Sequence, residues 1–255
     1  MSSHRSEHGP PWLVLPTYDE AENVEAIVMA ALAKLPAAAR LLIVDDNSPD
    51  GTGAIADRLA EREERVEVLH RPRKEGLGPA YIAGFRRALA GGAGLILEMD
   101  ADFSHDPAYL PRLLDAAERA DLVIGSRYVP GGGVGDWGAA RRAVSRGGSA
   151  YSRRMLGVDV RDLTGGFKCF RREVLEAIDL DSVASRGYAF QVELTYRAIQ
   201  AGFTVAEVPI VFRDRRVGSS KMDRSIVLEA IWRVPLLRFG DRDRDSRPPR
   251  DREQP

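Results

Sequence analysis

The sequence predicts an α/β fold in which a mostly parallel sheet is flanked by helices. Short apolar runs of strand length recur through the first 125 residues, and each ends at polar or turn-forming residues. Segments of helical periodicity separate these runs. Strands that alternate with helices in this way form parallel, doubly wound sheets. The 255 residues are enough for one such domain with a substantial core.

The first half of the chain has the more regular pattern. Pro16 stops the first apolar run, and residues 47–51 form a turn cluster after the second. The predicted strands cover residues 12–15, 41–44, 66–69, 95–99 and 122–124. The predicted helices cover residues 20–34, 76–89 and 107–119, and a further helix runs from the turn cluster to about residue 64.

The second half is less regular, and a glycine-rich stretch at residues 130–135 predicts a flexible loop. The predicted strands here cover residues 163–170 and 205–212. The predicted helices cover residues 137–156, which are rich in arginine, and residues 189–201 and 225–239.

Residues 12–239 are predicted to form a single domain. Residues 1–11 are polar, so we expect a flexible N-terminus. They also lack the apolar stretch of a secretory signal. Residues 240–255 are dominated by Asp, Arg and Pro and cannot build a core, which predicts a disordered tail. No run reaches 18 apolar residues, so no transmembrane helix is expected.

Charge is divided unevenly along a chain whose formal net charge is −1. Residues 1–125 carry 13 basic and 21 acidic side chains, whereas residues 126–255 carry 24 and 17. This asymmetry indicates that the second half meets an anion or an anionic surface. The single cysteine, Cys169, excludes an internal disulfide and is expected to be a buried structural thiol.

Acidic side chains follow three of the predicted strands. Residues 16–20 follow the first strand, Asp45 and Asp46 end the second, and Asp100-Ala101-Asp102 follows the strand at 95–99. The carboxyl ends of parallel strands are where such sheets bind ligands. Paired carboxylates with substrate phosphates suit a divalent cation such as Mg²⁺, and the ring of Tyr18 can stack on a base. The pattern therefore predicts a metal-dependent nucleotide-sugar site.

Two other classes of function are open at this point. A nucleotidylyltransferase shares the sheet and the acidic metal site, but it needs a loop rich in Gly and basic residues after the first strand, which residues 17–20 are not. A non-enzymatic module could bind RNA or anionic lipid through residues 127–172, which carry ten basic and three acidic side chains. That module would leave the acidic strand ends unexplained, and nucleic acid would avoid them.

The motifs, taken together, resemble those of the dolichol-phosphate mannosyltransferase group of inverting family-2 glycosyltransferases. The matching segments are VLPTYDEAEN at 14–23, VDDNSPDGT at 44–52, EMDADFSHDP at 98–107, GSRY at 125–128, LTGGF at 163–167, GYAFQVE at 187–193, EVPI at 207–210 and GSSK at 218–221. The resemblance implies a Rossmann-like GT-A fold and transfer of mannose from GDP-mannose to a polyprenyl phosphate. The nearest alternative is the same transfer of glucose from UDP-glucose.

The resemblance also assigns site residues. It implies that the donor is bound by Pro16, Tyr18, Glu20, Val44, Asp46, Asp100, Ala101, Asp102, Arg215 and Lys221. It implies that the acceptor phosphate is bound by Arg127, Arg141 and Ser145. The implied metal, Mg²⁺ or Mn²⁺, is bound by Asp102, with Ser104 through water and Asp100 as a further candidate ligand. The catalytic set is Asp102, Arg127, Arg215 and Lys221.

The chemistry of the residues agrees with this assignment. An ionised lipid phosphate is already a nucleophile, so no general base is required, and His105 is expected to have a structural role. We expect the protein to sit on the cytoplasmic face of a membrane, directly or through a separate membrane-protein partner, and to bind no nucleic acid. The predicted contact surface combines residues 137–154 with Ile231, Trp232, Leu236 and Leu237.

Overall fold

A seven-stranded sheet forms the centre of the protein, a computed structural model of which describes residues 9–135, 137–183, 185, 187–213 and 234–239. Its strands are β1 (Pro11–Thr17), β2 (Arg40–Asp45), β3 (Val66–His70), β4 (Leu95–Glu98), β5 (Leu122–Ser126), β7 (Lys168–Arg171) and β8 (Val205–Pro209). Their order across the sheet is β3-β2-β1-β4-β7-β5-β8. Two short strands, β6 (Gly133–Val134) and β9 (Val211–Phe212), pair separately.

The predicted fold class is confirmed, because all neighbouring pairs in the large sheet are parallel except those of β7. β7 lies antiparallel between β4 and β5. This strand was predicted over residues 163–170 and is shorter than expected, since it covers only Lys168–Arg171. In the parallel part, Thr17 of β1 lies opposite Asp45 of β2. The ends of β1, β2 and β4 meet at one edge of the sheet.

Seven α-helices, besides the helical residues 234–239, accompany the sheet in the described part of the chain. They are α1 (Val24–Leu32), α2 (Thr52–Arg62), α3 (Leu77–Ala90), α4 (Leu110–Ala116), α5 (Ala139–Leu156), α6 (Arg172–Ala177) and α7 (Gly187–Gln200). Single 3₁₀ turns lie at Pro107–Tyr109 and Leu180–Ser182, and residues 234–239 are helical. The short α6 was not predicted, since six residues are too few for a helical period to stand out.

Apolar side chains fill the space on both faces of the sheet. Along β1, Trp12 and Val14 belong to one buried cluster, whereas Leu13 and Leu15 belong to the other. Side chains alternate between faces along a strand, so a strand covered on both sides reads as a continuous apolar run. Cys169 is fully buried in β7, and burial raises the pKa of its thiol to about 12, which agrees with a structural role.

The strand predicted over residues 205–212 divides at Ile210. β8 ends at Pro209, which has no N–H to donate to a neighbouring strand. The backbone of Ile210 instead donates to Ser126 O at 3.0 Å and accepts from Gly133 N at 2.9 Å. This crossing directs β9 toward the carboxyl ends of the parallel strands.

The predicted domain boundaries, between residues 11 and 12 and between residues 239 and 240, stay predictions. Residues 1–8, 214–233 and 240–255 lie outside the described part. Pro11 is the first residue of β1, so the sheet begins one residue before the predicted boundary. Within the described residues, no helix is both long enough and apolar enough to cross a bilayer.

Candidate active site

Each of the three predicted strand ends contains a non-glycine residue in a left-handed backbone conformation. Their φ values are 56° at Asp19, 62° at Asn47 and 63° at Phe103. L-residues rarely adopt this conformation, and residues that do so concentrate at ligand sites. The sharp turns after β1, β2 and β4 therefore mark one edge of the sheet as the candidate site.

The loop after β4 presents the two predicted metal carboxylates. Asp102 is 3% exposed and accepts the Ser104 N–H at 2.9 Å. Asp100 is more open and accepts the Tyr81 hydroxyl at 3.2 Å. Burial, reinforced by the Asp100 carboxylate, raises the pKa of Tyr81 well above its usual value. Tyr81 therefore remains a hydrogen-bond donor to Asp100.

His105 stabilises this loop from inside. Its Nδ1 accepts the Asp100 N–H at 3.2 Å, and its ring stacks on Phe167 at 5.0 Å. Burial lowers the pKa of His105 to about 4, although Asp102 acts in the opposite direction. A neutral imidazole with Nδ1 accepting carries its proton on Nε2. These contacts agree with the expected structural role of His105.

The residues of the loop fit a divalent cation. The Ser104 hydroxyl oxygen is buried and finds no hydrogen-bond partner among the described residues. Buried polar atoms are normally satisfied, so this oxygen is suited to a ligand or to a ligand's water. Within the described part, no group of three or more His, Cys, Asp or Glu side chains could hold a metal alone. Asp102, Asp100 and Ser104 would therefore share a cation with oxygens of a bound diphosphate.

The predicted nucleotide residues lie at the ends of β1 and β2. Pro16 and Val44 face each other in the register, and the Asp46 N–H donates to Thr17 O at 2.9 Å. Val44 is fully buried, so only its backbone is suited to contact a ligand. Ala101 is also buried, between Asp100 and Asp102 in the sequence.

Two carboxylates of the nucleotide set contact neighbouring protein groups. Glu20 accepts the Asn23 side-chain amide at 2.8 Å. Asp46 is buried, accepts the Gly76 N–H at 2.8 Å and pairs with the Arg71 guanidinium. Asp46 thus positions the loop between β3 and α3.

Arg127, at the end of β5, forms a buried bidentate ion pair. Its Nε and one terminal nitrogen donate to the two oxygens of Asp162 at 2.7 and 2.6 Å. The Arg127 backbone N–H donates to the same carboxylate at 2.9 Å, and its side chain also donates to Thr164 at 2.8 Å. Both charged side chains are nearly inaccessible to solvent. Planar, two-point pairing of this kind fixes the guanidinium in place.

Glu207 of β8 positions the loop that carries Asp162. One Glu207 oxygen accepts the Arg161 N–H at 2.8 Å and the other accepts the Asp162 N–H at 3.0 Å. Asp162 in turn binds Arg127, so a chain of contacts runs from β8 to the end of β5. Asp162 and Glu207 were not among the predicted site residues.

The three predicted acceptor residues lie in one cluster. The guanidinium carbons of Arg127 and Arg141 lie 6.0 and 4.1 Å from the centroid of the Trp137 ring. Tyr128, whose ring Arg127 also contacts at 5.2 Å, donates its hydroxyl proton to Ser145 at 2.5 Å. Arg141 and Ser145 are one turn apart on α5 and face this cluster together.

A second buried charged pair, at the strand that leads to Asp100 and Asp102, was also missed. Lys168 of β7 lies opposite Glu98 of β4, and its Nζ is 3.7 Å from Glu98 Oε1. The same Nζ donates to the side-chain and backbone oxygens of Gln191 at 2.5 and 2.9 Å. Burial raises the pKa of Glu98 and lowers that of Lys168. The available signal was a charged residue inside each of two strand-like runs.

Two predicted donor residues, Arg215 and Lys221, lie outside the described part of the chain, and their assignment stays a prediction. The roles given to the other site residues also stay predictions. The structure nevertheless brings the acidic loop close to the arginine cluster. The ring of Phe212 in β9 is 5.3 Å from that of His105 and 5.5 Å from the Arg127 guanidinium carbon. The acidic loop and the arginine cluster therefore share an aromatic neighbour.

An acidic loop at the carboxyl ends of parallel strands, beside an arginine cluster, suits an enzyme that transfers a glycosyl group. The family model described as glycosyl transferase family 2 matches residues 12–179, and the chain belongs to this family. It is therefore an enzyme, and the resemblance seen in the motifs is confirmed.

Two relatives match over most of the chain. A polyprenol monophosphomannose synthase of Mycolicibacterium smegmatis is 52% identical over 224 residues, which are 87% of this chain and 84% of the relative. An undecaprenyl-phosphate mannosyltransferase of Micrococcus luteus is 48% identical over 227 residues, 89% of this chain and 92% of the relative.

Solved structures support the same fold. Glucosyl-3-phosphoglycerate synthase from Mycobacterium tuberculosis, in complex with Mn²⁺, UDP and glucosyl-3-phosphoglycerate, gives a TM-score of 0.65 at 19% identity. A complex of that enzyme with Mg²⁺ and UDP gives 0.66 at 20% identity. Each comparison covers 91% of this chain and 80% of the other. At this identity the likeness concerns the fold alone.

Proposed function

We propose that this enzyme transfers mannose from GDP-mannose to a polyprenyl phosphate, with inversion at the anomeric carbon. The observation that supports this most is the common contact of His105 and Arg127 with Phe212, because it links the loop that carries Asp100 and Asp102 to the arginine cluster. A sugar diphosphate and a lipid phosphate require these two environments side by side. The names of the two relatives favour the same sugar and the same class of acceptor.

The donor would lie across the ends of β1, β2 and β4. Tyr18, Glu20 and Asp46 border the space for the nucleoside, and the loop at Asp100–Asp102 faces the diphosphate. A divalent cation bound at Asp102, with Ser104 and Asp100, would neutralise the charge that develops on the leaving nucleoside diphosphate. Tyr81 and His105 maintain the shape of the loop through Asp100.

The acceptor phosphate would lie against the cluster of Arg127, Arg141 and Ser145. An ionised phosphate oxygen attacks the anomeric carbon from the side opposite the leaving group, and this single displacement produces inversion. No side chain has to remove a proton, which agrees with the burial of His105 and the use of its Nδ1 by the Asp100 N–H. The protein then contributes orientation and electrostatic stabilisation.

A panel of nucleotide sugars tests which sugar the enzyme transfers and which base its donor carries. Purified protein is incubated with Mg²⁺, polyprenyl phosphate and radiolabelled GDP-mannose, UDP-glucose, GDP-glucose or UDP-N-acetylglucosamine. We expect label in the lipid fraction from GDP-mannose above all others. Preferential labelling from UDP-glucose would instead favour the glucosyltransferase alternative.

Replacing Arg141 with Ala is expected to weaken use of the acceptor more than binding of the donor. A hydrogen bond to a charged group contributes about 1.5–3 kcal/mol, so the loss in kcat/KM for polyprenyl phosphate should be roughly 10- to 150-fold. Calorimetry of GDP-mannose binding beside acceptor kinetics measures the two effects separately. Arg142→Ala, an exposed arginine on the same helix, is the matched control. Equal losses for donor and acceptor would assign Arg141 to the donor or to the fold.

We also propose that the enzyme binds the cytoplasmic face of a membrane, where its acceptor's hydrocarbon tail would be held. Leu236 and Phe239 are 62% and 53% exposed, and Arg238 ties their segment to the Met155 carbonyl at the end of α5. The expected contact surface changes in two respects. Trp137 is buried, and Leu237 packs against the core. Ile231 and Trp232 lie outside the described residues.

Flotation with anionic liposomes that contain polyprenyl phosphate tests this surface. Each exposed arginine of α5 near the lipid contributes roughly 1 kcal/mol at low salt, so binding should decrease as salt rises. The variant Leu236→Ser with Phe239→Ser should float less than the wild type, whereas Met29→Ser, an exposed residue of α1, should not change flotation. No flotation of the wild type at low salt would indicate recruitment by a separate membrane protein.

A further inference from the structure

The loop at residues 71–76, between β3 and α3, forms a side of the proposed nucleoside space. Asp46 anchors it by accepting the N–H groups of Glu75 and Gly76 at 3.2 and 2.8 Å and by pairing with Arg71. Because Asp46 is buried at the end of β2, the loop is tied to the edge of the sheet where the base is expected to bind.

The three cations of this loop have different partners. Glu75 pairs with Arg71 on one side and with Arg73 at 2.9 Å on the other. Lys74 instead places its ammonium nitrogen 3.4 Å from the centroid of the Tyr18 ring. In the described part of the chain, Lys74 forms no ion pair. Its described partner is therefore an aromatic face, and such a contact is weak when solvent is near.

This contact covers one face of the ring on which a base is expected to stack. A base that occupies that face must displace the ammonium group from Tyr18, yet the loop keeps Lys74 beside the space. Guanine presents two adjacent acceptors, O6 and N7, and lysine is a common partner of that edge. Adenine presents an amino group in place of O6, which is a poor partner for an ammonium ion.

We propose that Lys74 determines the base specificity of the donor site. On this proposal, which rests on the proposed GDP-sugar donor, Lys74 leaves the Tyr18 ring when a purine stacks there and donates to O6 and N7 of guanine. Asp46 and Glu75 contribute indirectly, since they hold the loop in place.

Calorimetry with GDP, IDP, ADP and UDP in the presence of Mg²⁺ tests the proposal. IDP retains O6 and N7, so Lys74→Ala should weaken GDP and IDP by about tenfold and leave ADP and UDP unchanged. Lys74→Arg, which keeps a cationic donor, should retain most of the preference for GDP. Arg73→Ala is the matched control, because Arg73 is 77% exposed on the same loop, and it should bind all four nucleotides as the wild type does.

Two results would overturn the proposal. Equal weakening of all four nucleotides by Lys74→Ala would mean that Lys74 contacts the diphosphate, and unchanged GDP affinity would mean that it contacts neither group. The wild type separates this proposal from the donor assignment. A wild type without preference for GDP contradicts the GDP-sugar donor itself, whereas a GDP preference that persists in Lys74→Ala contradicts only the role of Lys74.

Discussion

Replacing Asp102 with Asn is expected to abolish glycosyl transfer while the protein remains folded. Asn keeps an oxygen for the Ser104 N–H, which Asp102 accepts at 2.9 Å, but it removes the negative charge of the proposed metal ligand. Charge stabilisation by a metal contributes several kcal/mol, so kcat should decrease by at least about 10³-fold. Transfer rates at saturating GDP-mannose and Mg²⁺, together with circular dichroism spectra, measure both effects.

The matched control is Asp115→Asn, on the exposed side of α4, which should retain the wild-type rate. Wild-type protein stripped with EDTA should lose activity and recover it when Mg²⁺ or Mn²⁺ is added. If Asp102→Asn, stripped and resupplied in the same way, turned over at a near-normal rate, Asp102 would not be the metal ligand.

Replacing Arg127 with Ala is expected to destabilise the protein strongly. The substitution leaves the Asp162 carboxylate, which is fully buried, without its bidentate partner. Removing one member of a buried ion pair costs about 3–5 kcal/mol in the free energy of unfolding. Urea denaturation measures this loss, and a reduced kcat/KM for polyprenyl phosphate should accompany it in the protein that stays folded.

A double-mutant cycle with Asp162→Ala isolates the pair. The double variant should lose less stability than the sum of the two single variants, because neither charge is then left unpaired. Arg146→Ala, an exposed arginine of α5, should change stability little. Strictly additive losses for Arg127 and Asp162 would show that the two side chains do not interact in solution.

The fold class could be predicted because its signals are local. The apolar run at residues 12–15 is continuous because β1 is covered on both faces, and the turn cluster after β2 follows from residue type. A strand was predicted where β7 lies, but its antiparallel direction could not be, since a four-residue strand carries no mark of its direction. Its place between β4 and β5 depends on contacts between residues far apart in the sequence.

Site residues could be predicted as types but not as partners. The carboxylates Asp100 and Asp102 could be predicted as site residues because they directly follow a strand. Arg127 was expected at a phosphate, and the structure adds its pairing with Asp162, 35 residues further along the chain. No local pattern relates the two, and the contact of Glu207 with the Asp162 backbone spans a further 45 residues. Such pairs form because a buried charge needs a buried partner.

The product of the reaction tests the central proposal most directly. Purified protein is incubated with GDP-mannose, Mg²⁺ and a short-chain polyprenyl phosphate, and the lipid product is isolated and examined by NMR. We expect a mannosyl phosphate of β configuration, opposite to that of the donor, formed without a covalent sugar–enzyme intermediate. An α-linked product, or hydrolysis of GDP-mannose with no sugar on the lipid, would contradict it.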